Sequence, residues 1–224
     1  MTMRALLYGA SGYTGRMLAR HLAGSLDLVL AGRSADKVRA VAEPLGLEWR
    51  SFGLDDPSAI AAALHDFGVV LHAAGPFAQT AMPMVDACIA RGAHYLDLGG
   101  EWPVFQAVHG RDADAKAAGI MLLPGVGLTV AATDCLLARA VEMWPQTARL
   151  CLGISRAQVI SRGSVATMAS MLDGQAAIRR GGNVVSVPAG SLARAFDFGS
   201  GLSEAVAMSW ADVVTGGITT GVPD

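Results

Sequence analysis

The sequence has few basic residues and no basic cluster. Its 17 Lys and Arg residues are outnumbered by 19 Asp and Glu residues, and the one adjacent basic pair is Arg179-Arg180. Proteins that bind nucleic acid carry a patch or stripe of positive charge that neutralises phosphates. We therefore expect no nucleic acid among the partners of this protein.

Long apolar runs are missing as well. Hydrophobic residues make up 52% of the chain, yet no uninterrupted run approaches the roughly 20 residues that span a bilayer. The apolar segment that follows Arg4 is too short for the core of a signal peptide. We expect a cytoplasmic protein without an integral membrane segment, whose surplus of apolar residues is buried in a sheet and in a subunit interface.

The chain has few cysteines, and their spacing does not suggest disulfide pairs. The three cysteines, Cys88, Cys135 and Cys151, are widely spaced and odd in number. That count fits neither a disulfide framework nor a zinc site and suits a reducing compartment. The histidines also lack the spacing of metal ligands, so we expect no metal.

Two catalytic signatures are absent from the sequence. None of the three tyrosines, Tyr8, Tyr13 and Tyr95, has a lysine four residues later, which excludes the Tyr-x-x-x-Lys pair of short-chain dehydrogenases. The chain also lacks the G-x-S-x-G turn that presents the nucleophile of α/β-hydrolases. Neither enzyme class therefore explains the patterns that are present.

Apolar runs alternate with helical patterns over the first 124 residues. Six runs predict buried strands: residues 3–8, 26–31, 47–52, 69–74, 93–98 and 120–124. Between them, Ser34 is a candidate cap for one helix, Asp56 followed by Pro57 opens another, and a further helix begins near Trp102. Because parallel neighbours need crossover connections, the alternation predicts an α/β domain with a doubly wound parallel sheet that ends near Pro124.

Beyond residue 124 the pattern is that of a mixed α+β domain. We predict a helix from about Thr129 to Met143, an extended stretch over 148–154, and a helix through 165–172 that ends at 179–181. Residues 183–187 and 205–210 predict strands, separated by Gly- and Ser-rich turns. The chain stops at "TTGVPD" without a closing element, so we expect this domain, residues 125–224, to be incomplete.

The segment "GASGYTG" lies between a predicted strand and a predicted helix. In dinucleotide-binding folds, the first glycine allows a tight turn, the second lets the pyrophosphate approach the backbone, and the third lets the helix pack closely on the strand. The spacing is one residue longer than the plain fingerprint, and an ordinary glycine-rich turn is the alternative. We expect the whole loop to bind a dinucleotide: Gly9, Ala10, Ser11, Gly12, Tyr13, Thr14 and Gly15.

The second predicted strand ends in "AGRS", where NAD-selective folds carry an acid. Such folds hold the ribose 2′-hydroxyl with a carboxylate roughly 20 residues after the glycine loop. Here Arg33 lies 18 residues after Gly15, and the first acid is Asp36. A guanidinium binds a 2′-phosphate that a carboxylate would repel, so Arg33, with Ser34 beside it, predicts NADP as the cofactor. A solvated surface arginine is the alternative.

Two other polar residues near the predicted strand ends have open or structural roles. Asp55, after the third strand, either approaches the adenine or helps to cap the helix beside Asp56. His72, on the fourth strand, fits a satisfied core histidine better than a catalytic base.

The motifs "GASGYTG", "LAGRS", "HAAGPF" and "YLDLGGE", in this order and spacing, resemble the saccharopine-dehydrogenase-like oxidoreductases. That family includes saccharopine reductases and mycobacterial trans-acting enoyl reductases. The resemblance continues into "PGVGLTVAATD" and "RGSVATMASML" and covers most of the chain. Its motifs are specific for the family and weak for the substrate.

The resemblance implies an NADP-binding Rossmann domain over residues 1–124, followed by an α+β domain that carries substrate and dimer contacts. A homodimer is therefore expected. It also implies which residues line the nicotinamide end of the cofactor, after the fourth strand: Ala73, Ala74, Gly75, Pro76 and Phe77. Strand ends at the point where the sheet order reverses are where ligands bind in such folds.

The candidates for proton transfer follow the fifth predicted strand, in "YLDLGGE". Alternation places Tyr95 and Asp97 on one side of the strand, and the Gly-Gly turn can bring Glu101 to the mouth of the cleft. A carboxylate there can relay a proton while the nicotinamide supplies hydride. The alternative is that Asp97 and Glu101 bind backbone N–H groups and cap the helix that starts near Trp102.

These patterns favour an NADP-dependent oxidoreductase that reduces a C=O, C=N or C=C bond of a small-molecule or acyl substrate. A second hypothesis is a non-catalytic NADP-binding sensor or scaffold of the NmrA-like kind, which needs no catalytic acid. A third is a subunit that is stable without nucleotide and never binds it. The sequence does not name the substrate.

Overall fold

The computed structural model describes residues 3–155 and 174–224. The chain forms two units, of which the first comprises Met1–Gly99 and Gln106–Val126 and the second comprises Gly100–Phe105 and Gly127–Asp224. The helix expected through 165–172 lies outside the described residues.

A six-stranded parallel sheet forms the centre of the first unit. Its strands are β1 (Arg4–Tyr8), β2 (Asp27–Gly32), β3 (Glu48–Ser51), β4 (Val69–His72), β5 (His94–Asp97) and β6 (Leu122–Leu123). They lie in the order β3-β2-β1-β4-β5-β6, and every pair of neighbours is parallel. This confirms the predicted doubly wound sheet. The order reverses between β1 and β4, where ligands of such sheets bind.

Helices connect these strands. They are α1 (Tyr13–Leu22), α2 (Ala35–Ala42), α3 (Pro57–Ala63), α4 (Phe77–Arg91), α5 (Trp102–His109) and α6 (Asp112–Ala118). Asp56 caps α3, as predicted, by accepting from two backbone N–H groups. Ser34 occupies the cap position of α2, but its hydroxyl makes no capping bond, so the predicted side-chain cap is wrong.

The central strands are buried because helices cover both faces of a parallel sheet. Leu6 and Leu7 of β1 and Leu30 of β2 have no exposed surface. The side chains of Leu7 and Leu30 pack with Ala19 of α1 and Val38 of α2 in one apolar cluster. This buried sheet holds the strand ends that carry the predicted site residues.

The described residues of the second unit include two helices and two β-hairpins. A π-helical turn (Leu128–Ala132) precedes α7 (Thr133–Met143), and α8 (Asp212–Thr220) lies near the end of the chain. The strands are β7 (Gln175–Arg180), β8 (Asn183–Pro188), β9 (Ala193–Asp197) and β10 (Leu202–Val206). β7 pairs with β8, and β9 pairs with β10, both antiparallel.

Two predictions for this unit need correction. Residues 179–181 do not end a helix, because Arg179 and Arg180 belong to β7 and Gly181 and Gly182 form the hairpin turn, with φ values of +55° and +81°. Two consecutive residues at positive φ match the tight turn that joins antiparallel strands. The predicted strand at 205–210 is also shifted, since β10 ends at Val206.

A small apolar cluster and a polar contact hold the second unit together. Phe105, Val130 and Val214 are buried in one cluster. Asp134 of α7 accepts hydrogen bonds at 2.8 Å from the hydroxyls of Thr215 and Thr219 of α8. The Asp134 carboxylate thus links the start of α7 to α8 through two hydrogen bonds.

Within residues 3–155 and 174–224, no helix has both the length and the apolar character that crossing a membrane requires. The same ranges contain no group of three His, Cys, Asp or Glu side chains placed to hold a metal ion.

Candidate functional site

The glycine loop joins β1 to α1 through close backbone contacts. Gly9 has a φ of +90°, and a Cβ added there would lie 2.7 Å from backbone atoms of Ala73 and Ala74. A Cβ added at Gly15 would lie 2.9 Å from the Cα of Ala10 and closer still to the carbonyl oxygen of Gly9. Both positions exclude a side chain. Gly15 thus provides the close helix packing that was predicted, and Gly9 also contacts the loop after β4.

The middle of the loop is open. A Cβ added at Gly12 would meet one atom within 4 Å, the carbonyl oxygen of Gly9 at 3.2 Å. The first N–H groups of a helix have no intrahelical acceptor, and those of Tyr13, Thr14 and Gly15 find none elsewhere in the described part of the chain. Unpaired donors at a helix start bind phosphate oxygens. The loop therefore fits the pyrophosphate of a dinucleotide.

Ala10 and Ser11 form the base of the loop. The N–H groups of Gly9 and Ala10 both donate to the carbonyl oxygen of Ala31, at 2.8 and 3.1 Å. The carbonyl oxygen of Ser11 accepts from Nε of Arg16 at 2.9 Å. The bonds to Ala31 tie the loop to the end of β2, and the bond from Arg16 ties it to α1.

The end of β2 presents unpaired positive charge. Arg33 is exposed, and neither its guanidinium nor the ammonium of Lys37 forms an ion pair or hydrogen bond with any described residue. The nearby charge of Asp36 is paired with Arg39, whose Nη2 lies 3.0 Å from Oδ1. Two cations and the uncommitted hydroxyl of Ser34 at a helix start fit a 2′-phosphate.

Asp55 lies near the end of β1, while its neighbour caps α3. Oδ1 of Asp56 accepts the N–H of Ser58 at 2.9 Å. Burial raises the pKa of Tyr8 above its ordinary value, and the nearby Arg33 guanidinium opposes that shift whereas the Asp55 carboxylate adds to it. The charges of Asp55 and Arg33 thus both influence the Tyr8 hydroxyl at the carboxyl end of β1.

Residues 73–76 form the loop between β4 and α4, and Phe77 is the first residue of α4. The N–H of Ala73 donates to the last carbonyl of β1 at 2.8 Å, which places the loop beside the glycine turn. Gly75 is exposed, whereas Phe77 is buried with its ring edge-on to His72, at a centroid distance of 5.4 Å. The loop after β1 and the loop after β4 therefore flank the point where the sheet order reverses.

His72 is a neutral core residue, as the sequence indicated, but only one of its nitrogens has a partner. Its ring stacks on Tyr8 at 5.5 Å and lies 6.1 Å from the ring of Tyr95. Desolvation lowers the pKa of His72 to about 3. Nε2 lies 3.0 Å from Oγ1 of Thr80, while Nδ1 is buried without a hydrogen-bond partner among the described residues.

Asp97 is fully buried and its carboxylate accepts at least three hydrogen bonds. Oδ2 accepts from the hydroxyl of Tyr95 at 2.7 Å, and Oδ1 accepts from the N–H groups of Gly99 and Gly125, each at 2.8 Å. Burial, followed by the Asp97 charge, raises the pKa of Tyr95, so that hydroxyl stays protonated and donates. This geometry agrees with the alternative in which Asp97 binds backbone N–H groups. The carboxylate thereby stabilises the turn after β5.

Glu101 immediately precedes α5 and is buried, with 5% of its surface exposed. Its carbonyl oxygen accepts from the N–H groups of Val104 and Phe105 at the start of the helix. Glu101 belongs to the second unit, whereas Asp97 belongs to the first.

Sequence patterns did not indicate three residues that contribute to this geometry. Lys37 could have been found from its position one helical turn after Arg33. Thr80 could have been suspected from its place four residues after Pro76, where a threonine can bond back to a carbonyl. Gly125 gave no signal, because its contact with Asp97 joins residues 28 positions apart.

A family model matches the first unit. Residues 5–123 match the model described as the saccharopine dehydrogenase NADP binding domain, which is more than half of the chain. The match includes the glycine loop, Arg33, the loop after β4 and Asp97.

Two mycobacterial proteins are among the curated relatives of the chain. The chain is 35% identical over 131 residues to a trans-acting enoyl reductase of Mycobacterium leprae, covering 54% of this chain and 31% of that protein. It is 38% identical over 104 residues to a trans-acting enoyl reductase of Mycobacterium bovis, covering 43% and 25%. The chain therefore spans about a third or less of the length of these relatives.

A solved structure resembles nearly the whole chain. The apo saccharopine dehydrogenase (L-Glu forming) from Saccharomyces cerevisiae superposes with a TM-score of 0.62 at 18% identity, covering 91% of this chain and 49% of that one. At this identity the likeness shows the fold alone.

Proposed function

The chain belongs to the saccharopine dehydrogenase NADP-binding domain family, and from that premise we propose that it transfers hydride between NADP and a C=O, C=N or C=C bond of a small-molecule or acyl substrate. Its cofactor is NADP. The observation that carries the proposal is the pair of loops, after β1 and β4, that flank the reversal point of the sheet, with unpaired cations at the end of the neighbouring strand.

We assign each part of the cofactor to residues of the first unit. The open N–H groups at the start of α1 bind the pyrophosphate, and Arg33, Ser34 and Lys37 bind the 2′-phosphate. Residues 73–77 form the wall beside the nicotinamide, which supplies the hydride when bound. Asp55, whose charge acts on Tyr8 as that of Arg33 does, is assigned to the adenine half.

For proton transfer we propose Asp97 and Glu101 as the two candidates. The carboxylate of Asp97 is already committed to Tyr95 and two backbone N–H groups, which supports a holding role. If Glu101 relays the proton, Glu101→Gln should slow single-turnover oxidation of NADPH more than it weakens NADPH binding. A lower melting temperature with an unaltered rate would assign Glu101 to structure as well.

We further propose that residues 125–224 carry substrate and dimer contacts and that the protein is a cytoplasmic homodimer, as the family resemblance implies. Light scattering coupled to size exclusion should give twice the chain mass. A mass of one chain at micromolar concentration would contradict the dimer.

The test of the proposed function has two steps. Fluorescence titration should show NADPH binding to the wild type and no binding to Gly12→Val, whose side chain would occupy the approach of the pyrophosphate and whose Cβ would lie 3.2 Å from the carbonyl oxygen of Gly9. Single-turnover oxidation of bound NADPH is then measured against imines, ketones and enoyl thioesters. Oxidation with one class identifies the bond reduced. Tight NADPH binding with no turnover on the whole panel would contradict the oxidoreductase and is the behaviour of an NADP-binding sensor.

A further inference from the structure

The hydroxyl of Thr80 links the loop after β4 to His72. Oγ1 of Thr80 lies 2.7 Å from the carbonyl oxygen of Ala74 and 3.1 Å from that of Pro76, and 3.0 Å from Nε2 of His72. The Pro76 carbonyl also accepts the N–H of Gln79 at 3.1 Å. No second donor reaches the Ala74 carbonyl from the described residues. Among the described residues, the Thr80 hydroxyl is therefore the hydrogen-bond donor to the Ala74 carbonyl.

The direction of these hydrogen bonds follows from counting protons. The threonine hydroxyl has a single proton, which it donates to a carbonyl because a carbonyl cannot donate. Its oxygen must then accept the proton on Nε2 of His72, so the neutral ring carries its hydrogen there and leaves Nδ1 bare. The two carbonyl partners of Thr80 lie in the loop and its third partner, His72, lies in the core, where the rings of Tyr8 and Phe77 pack against it.

The bond from Thr80 fixes the plane of one peptide group. In a trans peptide, the carbonyl and the following N–H point in opposite directions. Because the Ala74 carbonyl points inward to Thr80, the N–H of Gly75 points to the opposite, open side of the loop. Gly75 is exposed, and its N–H has no acceptor among the described residues. The next residue, Pro76, has no N–H to offer.

We infer that Thr80, backed by His72, is a positioning residue that aims the Gly75 N–H at an oxygen of the nicotinamide half of the cofactor, either its carboxamide or its ribose. This inference rests on the proposed function. The Thr80 hydroxyl contacts only protein groups among the described residues and acts through the orientation of the Ala74–Gly75 peptide. Loss of its hydroxyl leaves the Ala74 carbonyl unpaired and frees that peptide to rotate.

The test compares two ligands that share the adenine half. NADPH contains the nicotinamide half, whereas 2′,5′-ADP contains the 2′-phosphate and adenosine without it. Thr80→Val removes the hydroxyl at nearly constant volume, and Thr80→Ser restores it. We expect Thr80→Val to weaken NADPH binding about tenfold and 2′,5′-ADP binding less than about twofold, as for one lost hydrogen bond and its unpaired acceptor. Thr80→Ser should bind both ligands like the wild type.

A second measurement follows the Gly75 amide directly. Its hydrogen exchange in the wild type should slow when NADPH binds and should be unchanged with 2′,5′-ADP. Equal losses for both ligands in Thr80→Val, or no loss for either, would overturn the inference, as would a Gly75 amide that NADPH does not protect. A wild-type chain that binds neither ligand would instead overturn the proposed function, and the inference with it.

Discussion

The two units of the chain differ in how their strands are buried. In the first unit, Leu6 and Leu7 of β1 and Leu30 of β2 have no exposed surface. In the second unit, most residues of β9 and β10 are exposed, and Leu202 keeps 77% of its surface in solvent. The free energy gained from burial scales with the apolar area removed from water. The first unit therefore contributes most of the burial energy of the described strands.

The two units also differ in how clearly their sequences resemble known proteins. The family model covers residues 5–123, where Gly9 and Gly15 meet backbone atoms so closely that no other residue fits. Over the second unit the likeness rests on a superposition at 18% identity. A sheet that binds a nucleotide through its backbone restricts the sequence at fixed positions, whereas short exposed hairpins accept many sequences. The first unit thus has both the more deeply buried strands and the match to the NADP-binding family model.

Replacing one leucine by alanine in each unit tests the difference in burial most directly and gives the largest expected effect. Leu7→Ala should lower the free energy of unfolding by about 3 kcal/mol, because it leaves a cavity in a fully buried strand. Leu202→Ala, the same change on an exposed strand of the second unit, should alter it by less than about 0.5 kcal/mol. Urea denaturation followed by circular dichroism measures both. Equal losses for the two variants would show that the second unit is buried in solution as deeply as the first.

The strands of the first unit could be predicted because local signals and burial agree there. Continuous apolar runs such as residues 26–31 are needed where both faces are covered, and Asp56 before Pro57 is a strong helix start. In the second unit, the sequence of Arg179, Arg180 and Gly181 predicts a helix end, whereas Gly181 and Gly182 form a hairpin turn. A glycine pair serves both purposes, and the pairing of β7 with β8 decides between them.

The cofactor loops could be predicted from sequence, but the way they are held could not. The glycine spacing and Arg33 are local patterns whose chemistry follows from residue type. By contrast, the bond from Gly125 to Asp97 and the contact of Gly9 with the Ala73–Ala74 peptide join residues far apart in sequence. Such contacts depend on the strand order, which the alternation of helices and strands does not specify.

A pair of acids offers a second comparison between the units. Asp97 accepts from two buried backbone N–H groups that cannot turn away, so Asp97→Ala leaves both donors unpaired and should cost about 2 kcal/mol. Asp134 in the second unit accepts from two threonine hydroxyls, which can rotate to other partners. Asp134→Ala should therefore cost less than about 1 kcal/mol by the same denaturation. A smaller loss at Asp97 than at Asp134 would contradict the holding role.

The pH dependence of stability should have opposite signs in the two units. The unfolded chain protonates a histidine below about pH 6.5, whereas burial lowers the pKa of folded His72 to about 3. The folded state thus binds fewer protons in this window, and stability falls with decreasing pH by about 1.4 kcal/mol per unit. Burial raises the pKa of Asp212 in the second unit, so its contribution falls as pH rises through that pKa.

Two variants separate these contributions. His72→Gln keeps an N–H donor for Thr80 but does not titrate, so its stability between pH 4 and 6.5 should fall less steeply than that of the wild type. Asp212→Asn should fall more steeply, because it removes the contribution that opposes His72. Denaturation midpoints at four pH values measure both. Parallel profiles for the wild type and His72→Gln would show that folding does not lower the pKa of His72.

The most direct test of the central claim, that the first unit is an NADP site, is the affinity of Arg33→Ala for NADPH and NADH. Removing a guanidinium that binds the 2′-phosphate should weaken NADPH binding about tenfold and leave NADH, which lacks that phosphate, unchanged. The NADPH preference of the wild type should also shrink as salt screens the exposed charges. Equal losses for both cofactors would mean that Arg33 only supports the loop, and an unchanged NADPH affinity would place the 2′-phosphate elsewhere.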